Sequence, residues 1–325
     1  MPILRLCATL LVPVWLIYQS TPDGCAQNYP VKPVRLLVPF SAGSGVDTIG
    51  RIIAGGLTEV FGQQVVVDNR AGAAGNIGAE FVAKAVPDGY TVLLVNAGFA
   101  ANVTLYRNLA YDLVRDFAPV TQLASGPALV VVHPSLPVKS IGDLVKLAKV
   151  KPSAINYASG GVGTPTFVAA ELFKGQAGID LLHVPYRAGG EALTSVIAGE
   201  TSVYFAPLAS TLPQIRQNRL RPLAITSARR LPMMPEYPTV AESGYPGYEF
   251  ASWYGLLVPV KTLKETIATI RGAALTVLNN PNVIKRFHDL GYALIGDQSE
   301  EFAARIKSEI EKQGKILREL RVTAN

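Results

Sequence analysis

The sequence predicts an α/β protein of two lobes, and three observations carry that prediction. Short β-branched runs alternate with helix-period stretches almost to the end of the chain, which is how helices layer onto mainly parallel sheets. At 325 residues the chain exceeds what one core usually serves, so a second lobe follows from length. A phrase also recurs: "LLVPFSAGS…IIAGG" and "LLHVPYRAGG…VIAGE" both run strand, Val-Pro-aromatic, Ala-Gly, helix, Ile-Ala-Gly. Strand–glycine–helix joins are common in α/β chains, so the echo has a bland reading. The sharper one is that each lobe presents a similar loop to a shared cleft, beyond the carboxyl ends of its strands.

The first thirty residues set the compartment. Arg5 is the only charge ahead of the apolar run Leu6 to Tyr18, and Gly24 and Ala26 stand at signal-peptidase spacing. This predicts a secretory signal over residues 1–26, cut after Ala26. A cut ahead of a lipidated Cys25 is the alternative, although Pro22 and Asp23 make a poor lipidation sequence. Both cysteines, Cys7 and Cys25, precede Gln27, so the exported chain would carry none. A chain this long buries enough core to do without disulfides. No later stretch approaches the ~20 apolar residues of a spanning helix.

From there the elements follow in order. "VRLLVPF" reads as a strand, residues 46–61 as a helix, "QVVVDNR" as a strand and "GNIGAEFVAKAV" as a helix stopped by Pro87-Asp88-Gly89. "YTVLLVN" is apolar on both faces, as an interior strand requires. A second section opens near "PALVVVHPSLPVKS", where Ser140 caps the helix "IGDLVKLAKV". "INYASGGVGTPTFVAAELF", "LLHVPYRAGGEALTSVIAGE" and "TSVYFAPLASTLPQI" each give strand, turn and helix, and "RPLAITSARR" closes the section. Pro and Gly crowd residues 232–247, the place for a return crossing. "EFASWYGLLVPV" then reads as a strand, with helices at about 262–279 and 298–320. The division predicted is lobe 1 from 27–125 plus 249–325, and lobe 2 from 126–248.

Several chemistries are absent. Net charge is +6 with scattered basic residues, which suits a small anion and not nucleic acid. Gly43 and Gly45 are followed by Thr48 where a dinucleotide fingerprint needs its third glycine, and no Walker A sequence occurs. Ala42 stands where a nucleophile elbow around Ser44 would need glycine. His133, His183 and His288 sit in separate elements, without metal-ligand spacing. Asp47, beside the first glycine turn, either complements the helix dipole or orients a ligand.

Taken in order, "YPVKPVRLLVPFSAGSGVD", "GQQVVVDNRAGAAGNIGAEFVAKAVPDGYTVL", "DFAPVTQLA", "INYASGGVGTP", "HVPYRAGG", "RPLAITSARR" and "PTVAESGYPGYE" resemble the Bug family. These are the extracytoplasmic receptors of tripartite tricarboxylate transporters, and the resemblance runs from Tyr29 to the last helix. It implies a two-lobed periplasmic-binding-protein fold of type II and a binding protein that is not an enzyme. The implied partners are a small organic anion, a mono- or dicarboxylate, and the membrane subunits of a transporter. The chain would be a periplasmic monomer with no cofactor, no metal and no nucleic acid. A receptor for a membrane signalling partner, or an exported hydrolase, are the other classes left open.

Carried onto these positions, the ligand carboxylate would meet main-chain groups of Phe40, Ser41, Ala42 and Gly43, with Asp47. The turn after the third strand would add Asn96 and Ala97, and the opposite lobe Gly163, Thr164, Pro165 and Tyr186. Ala206 stands where some members have Asp, which argues against a ligand bearing an ammonium. Members often carry Gly-Gly where this chain has Gly43-Ser44, and a histidine where Phe167 stands. Specificity is expected from Tyr186, Phe167 and Phe205.

Overall fold

A computed structural model describes residues 29–324. The expected signal peptide and both cysteines lie outside the described residues.

The first half is built on three parallel strands, β1 (Val34–Val38), β2 (Val65–Asn69) and β3 (Thr91–Asn96), in the order β2-β1-β3. Helices α1 (Gly45–Phe61) and α2 (Asn76–Ala83) connect them, and α3 (Gly98–Leu105) follows β3. β3 has five of its six residues buried because strands flank it on both sides.

The long strand β4 (Phe117–Val132) then leaves this half. A second parallel set follows: β5 (Asn156–Ser159), β6 (Leu182–Pro185) and β7 (Val203–Pro207), in the order β7-β5-β6. Its helices are α4 (Ile141–Val150), α5 (Pro165–Ala177), α6 (Gly189–Ala198) and α7 (Leu208–Arg216), and β8 (Arg221–Ile225) ends the set. Ser140 caps α4 as its sequence requires, accepting the Asp143 N–H at 3.1 Å.

β9 (Ala251–Pro259) returns the chain to the first half, followed by α8 (Lys264–Leu278), α9 (Pro281–Asp289), β10 (Ala293–Leu294) and α10 (Ser299–Glu319). The expectation of mainly parallel sheets needs correction at the crossings. β4 and β9 pair antiparallel with each other, and β9 antiparallel with β3, β4 with β7 and β8. A strand that carries the chain from one half to the other enters each set against the direction of its β–α units. β4 changes partners at one point, since Pro127 pairs with Ala251 of β9 and Ala128 with Pro207 of β7.

The main apolar core contains Phe99, Tyr157, Phe173, Phe205 and Phe302 and runs through both halves. α10 ties it together by packing against α3, α5 and β4. Gly255 makes room for this helix, because a Cβ there would strike the Phe302 ring.

Candidate functional site

β1 ends at Val38, and the chain must turn through residues 39–44 before α1 can begin. Ser44 is the N-cap, its hydroxyl accepting the Asp47 N–H at 3.2 Å, a bond worth about 1 kcal/mol. Ser44, at the position where the resemblance leads one to expect a second glycine, therefore caps the helix. Gly43 takes φ +79°, left-handed backbone that glycine adopts without strain.

Asp47 holds this turn from beneath. It is 2 % exposed, and its carboxylate accepts the Gly43 N–H at 2.8 Å, Arg51 Nε at 2.9 Å and Asn69 Nδ2 at 2.9 Å. Asn69 Nδ2 also donates to the Phe40 carbonyl at 3.0 Å. Burial by itself would push the Asp47 carboxyl up, but the bonds from Arg51, Gly43 and Asn69 outweigh it and hold it below the usual range. Two expectations are thereby corrected. Asp47 faces the loop, not the cleft, and the Gly43 N–H is already spent on it. Donors remain at the N–H groups of Phe40, Ser41 and Ala42 in the loop, and at Gly45 and Val46, two residues in the first turn of α1, where a helix has no partners of its own.

Both residues line a cavity of about 110 Å³ between the two halves of the sheet. Other helix starts converge on it: Thr164, Pro165 and Thr166 from α5, and Ala188 and Gly189 from α6. Its floor comes from strand ends, with Asn96 of β3, Ala128 of β4, Phe205 of β7 and Phe250 and Ser252 at the start of β9. Tyr204, Tyr254 and Tyr292 complete the wall, and burial pushes all three phenols up, so they stay neutral hydroxyls. Tyr204 donates to the Gly189 carbonyl at 3.1 Å, and Tyr254 and Tyr292 pair with each other at 3.1 Å. Among the lining residues none is acidic, and Arg187, exposed at the mouth, is the sole charge.

The residues expected from sequence divide sharply. Phe40, Ser41, Asn96, Thr164 and Pro165 line this cavity, as does Phe205. Gly43 borders a neighbouring outer cleft, and Ala42 is exposed on the same loop. Ala97 turns into the core after Asn96, and Ala206 ends in the core on the Tyr204 face of β7; both are fully buried. Tyr186 packs against the apolar cluster beneath α6, and Phe167 lies buried against the His183 ring, with centroids 4.9 Å apart.

Gly163 belongs to the contact between halves. A Cβ on it would strike Asn102 Oδ1, and a Cβ on Gly98 would strike the Gly163 carbonyl. The loop after β5 therefore touches α3 directly across the cleft.

Sequence reasoning missed Arg187, Ser252 and the three tyrosines. The recurring phrase held the signal for Arg187, which occupies in the second copy the place of Ser41 in the first, and both copies line the one cavity. Ser252 and Tyr254 had no such signal, because their neighbours are set by strand pairing over more than a hundred residues, and Tyr292 joins them only by folding back onto Tyr254.

Comparison with known proteins gives a consistent picture. The profile described as "Tripartite tricarboxylate transporter family receptor" matches residues 49–322. The chain is 37% identical over 298 residues to a protein encoded in the tcbD-tcbE intergenic region of Pseudomonas sp. strain P51, covering 91% of this chain and 89% of that one. Among solved structures it resembles Rpa4515 of R. palustris with adipate (34% identity, TM-score 0.84, 89% of this chain and 97% of that one). It also resembles MatC of Rhodopseudomonas palustris with bound malate (28% identity, TM-score 0.84, 89% and 100%).

Proposed function

The chain belongs to the tripartite tricarboxylate transporter receptor family, and on that premise we propose that its cleft captures a small organic carboxylate for delivery to membrane subunits. One observation carries this reading: helix starts from both halves, α1, α5 and α6, meet at a cavity whose lining has no acidic side chain and one arginine. Converging N–H groups favour an anion at a helix start, and each such bond to a charged acceptor is worth about 1.5–3 kcal/mol. Such donors recognise the carboxylate group and leave the remainder of the molecule to be chosen by the floor. The likeness to proteins solved with adipate and malate supports the same ligand class.

In this reading the ligand is gripped by Ser41, Gly45 and Val46 on one side and by Thr164 to Thr166 on the other. The lobes are 27–125 plus 249–325 and 126–248, which fits the change of partners within β4. Closure brings the α3 and Gly163 contacts together and excludes bulk water. The protein works as an exported monomer released by cleavage after Ala26; no helix of the described residues is long and apolar enough to cross a membrane.

The test is a thermal-shift and calorimetric panel of carboxylates against the matching amides and alcohols. Carboxylates alone should raise the melting temperature, by the mass-action stabilisation of the native state. A neutral amide that binds as well as its acid would overturn the anion reading.

A further inference from the structure

The floor of the cavity carries information that its mouth does not. Two of its polar atoms are buried and have no protein partner: Asn96 Nδ2, on a residue that is fully buried, and Ser252 Oγ, on a residue 9 % exposed. Asn96 Oδ1 accepts the Gly98 N–H at 3.0 Å, and the three tyrosine hydroxyls are satisfied as described. Ser252 Oγ lies near the Tyr254 phenol without reaching hydrogen-bonding geometry.

The two orphans face the same way. Asn96 pairs directly with Tyr254 across the β3–β9 ladder, and Ser252, two residues from Tyr254, shares its face. A diagonal pair of this kind sits roughly 7–8 Å apart at Cα, so one ligand group can meet both side chains. Around them stand Pro127, Ala128, Phe205 and Phe250, all apolar. Buried polar groups without partners are uncommon in native proteins, and both of these residues belong to the cavity lining, their polar atoms covered until a ligand displaces what shields them.

Charge is confined to the opposite end. Arg187 and Ser41 line the mouth and also border an adjoining outer cleft, while no cation lines the floor. A second carboxylate pushed onto this floor would lose its hydration and find only neutral donors among apolar walls, a cost of several kcal/mol for an ion. A hydroxyl or carbonyl oxygen loses far less and would satisfy both orphans. The cavity of about 110 Å³ opens into an outer cleft of about 260 Å³ that shares Gly45, Gly189, Tyr204 and Tyr292 with it, so the ligand's body can extend from the floor toward the mouth.

We infer that the ligand is a monocarboxylate with an apolar body and one neutral oxygen at its far end, which Asn96 and Ser252 recognise. This rests on the carboxylate-receptor reading above and makes it more specific. It also parts from adipate and malate, the dicarboxylates bound in the two similar structures.

Two isosteric series test it on the purified exported chain by calorimetry: para-hydroxybenzoate, benzoate and terephthalate, and ω-hydroxyhexanoate, hexanoate and adipate, with malate and citrate beside them. In the series that binds, the hydroxy acid should exceed the plain acid by about tenfold, the usual effect of pairing a buried donor, and the diacid should be weakest. Binding confined to adipate, malate, terephthalate or citrate would overturn this inference and leave the receptor reading intact. No binding by any carboxylate would overturn both. Asn96→Asp keeps the acceptor for Gly98 and removes the donor, and Ser252→Ala removes the second group without disturbing β9. Each should bring the hydroxy-to-plain ratio close to one; a ratio unchanged in both variants would refute the assignment of the floor.

Discussion

Asp47→Ala offers the clearest test of how the cradle is held. The substitution removes a carboxylate that accepts from Gly43, Arg51 and Asn69. The Arg51 side chain and the Gly43 amide are exposed, so water replaces much of what they lose. Asn69 is only partly exposed and holds both Asp47 and the Phe40 carbonyl. The net loss is then close to one charge-assisted bond, about 2 kcal/mol. For a chain of this size that amounts to a fall of roughly 3 °C in melting temperature. Ligand affinity should fall with it, by about tenfold or ~1.4 kcal/mol, because the turn that aims the Gly45 and Val46 N–H groups loses its support. The assay is a thermal melt at neutral pH paired with calorimetry on the tightest carboxylate of the panel. Asp47→Asn, which keeps one acceptor oxygen, should recover part of both losses. An unchanged melting temperature would refute the strut. Lost binding with an unchanged melting temperature would place Asp47 in contact with the ligand, as its sequence position had suggested.

The remaining predictions concern pH, closure and the mouth. His183 is half-buried with Nε2 2.7 Å from Ser159 Oγ, and burial first, then Lys174, lowers its pKa from 6.5 to about 4. Its folded form therefore resists protonation. The stability it lends is complete above the unfolded value and drains away as pH falls from about 6.5 toward 4; His183→Gln should flatten melting temperature over that window. Asp47, with its pKa lowered, contributes stability above the ordinary carboxylate value that is lost as pH falls through its folded value, so Asp47→Ala should melt with less acid dependence below about pH 4. Gly98→Ala places a methyl against the Gly163 carbonyl and should wedge the halves apart. We expect weaker ligand binding with a larger radius in solution scattering of the ligand-bound form; tight binding at unchanged radius would show that the loops yield. Arg187→Ala at the exposed mouth should weaken carboxylate binding by a few-fold only, since surface charge is screened, and should reduce the salt dependence of affinity; an unaltered salt dependence would remove Arg187 from the site.

Much of the molecule was legible from local signals. The β–α alternation, the Ser140 cap and the turn after β1 follow from residues within a few positions of one another, so propensity and capping chemistry suffice to read them. α3 and α9 were not read, the first because its apolar residues show no amphipathic face, the second because it is a nine-residue helix between a proline and a glycine. Reading the crossings as sheet boundaries also hid that β4 is one continuous strand of 16 residues serving both halves.

By itself the sequence determined the glycine turn with its helix start and the family to which the chain belongs. Each is a matter of covalent neighbours, fixed backbone preferences and unpaired N–H groups at a helix end. Only the tertiary structure decided which donors are free and what lies opposite them. Gly43 and Asp47 looked equally available along the chain, yet folding brought Asn69 and Arg51 to the carboxylate and used up the Gly43 amide. Asn96 and Ser252 stand 156 positions apart in the numbering and share a floor because β3 pairs with β9. A hydrogen-bonding group acts on a ligand only if the rest of the fold leaves it unsatisfied, and that remainder is a property of packing over long sequence distances.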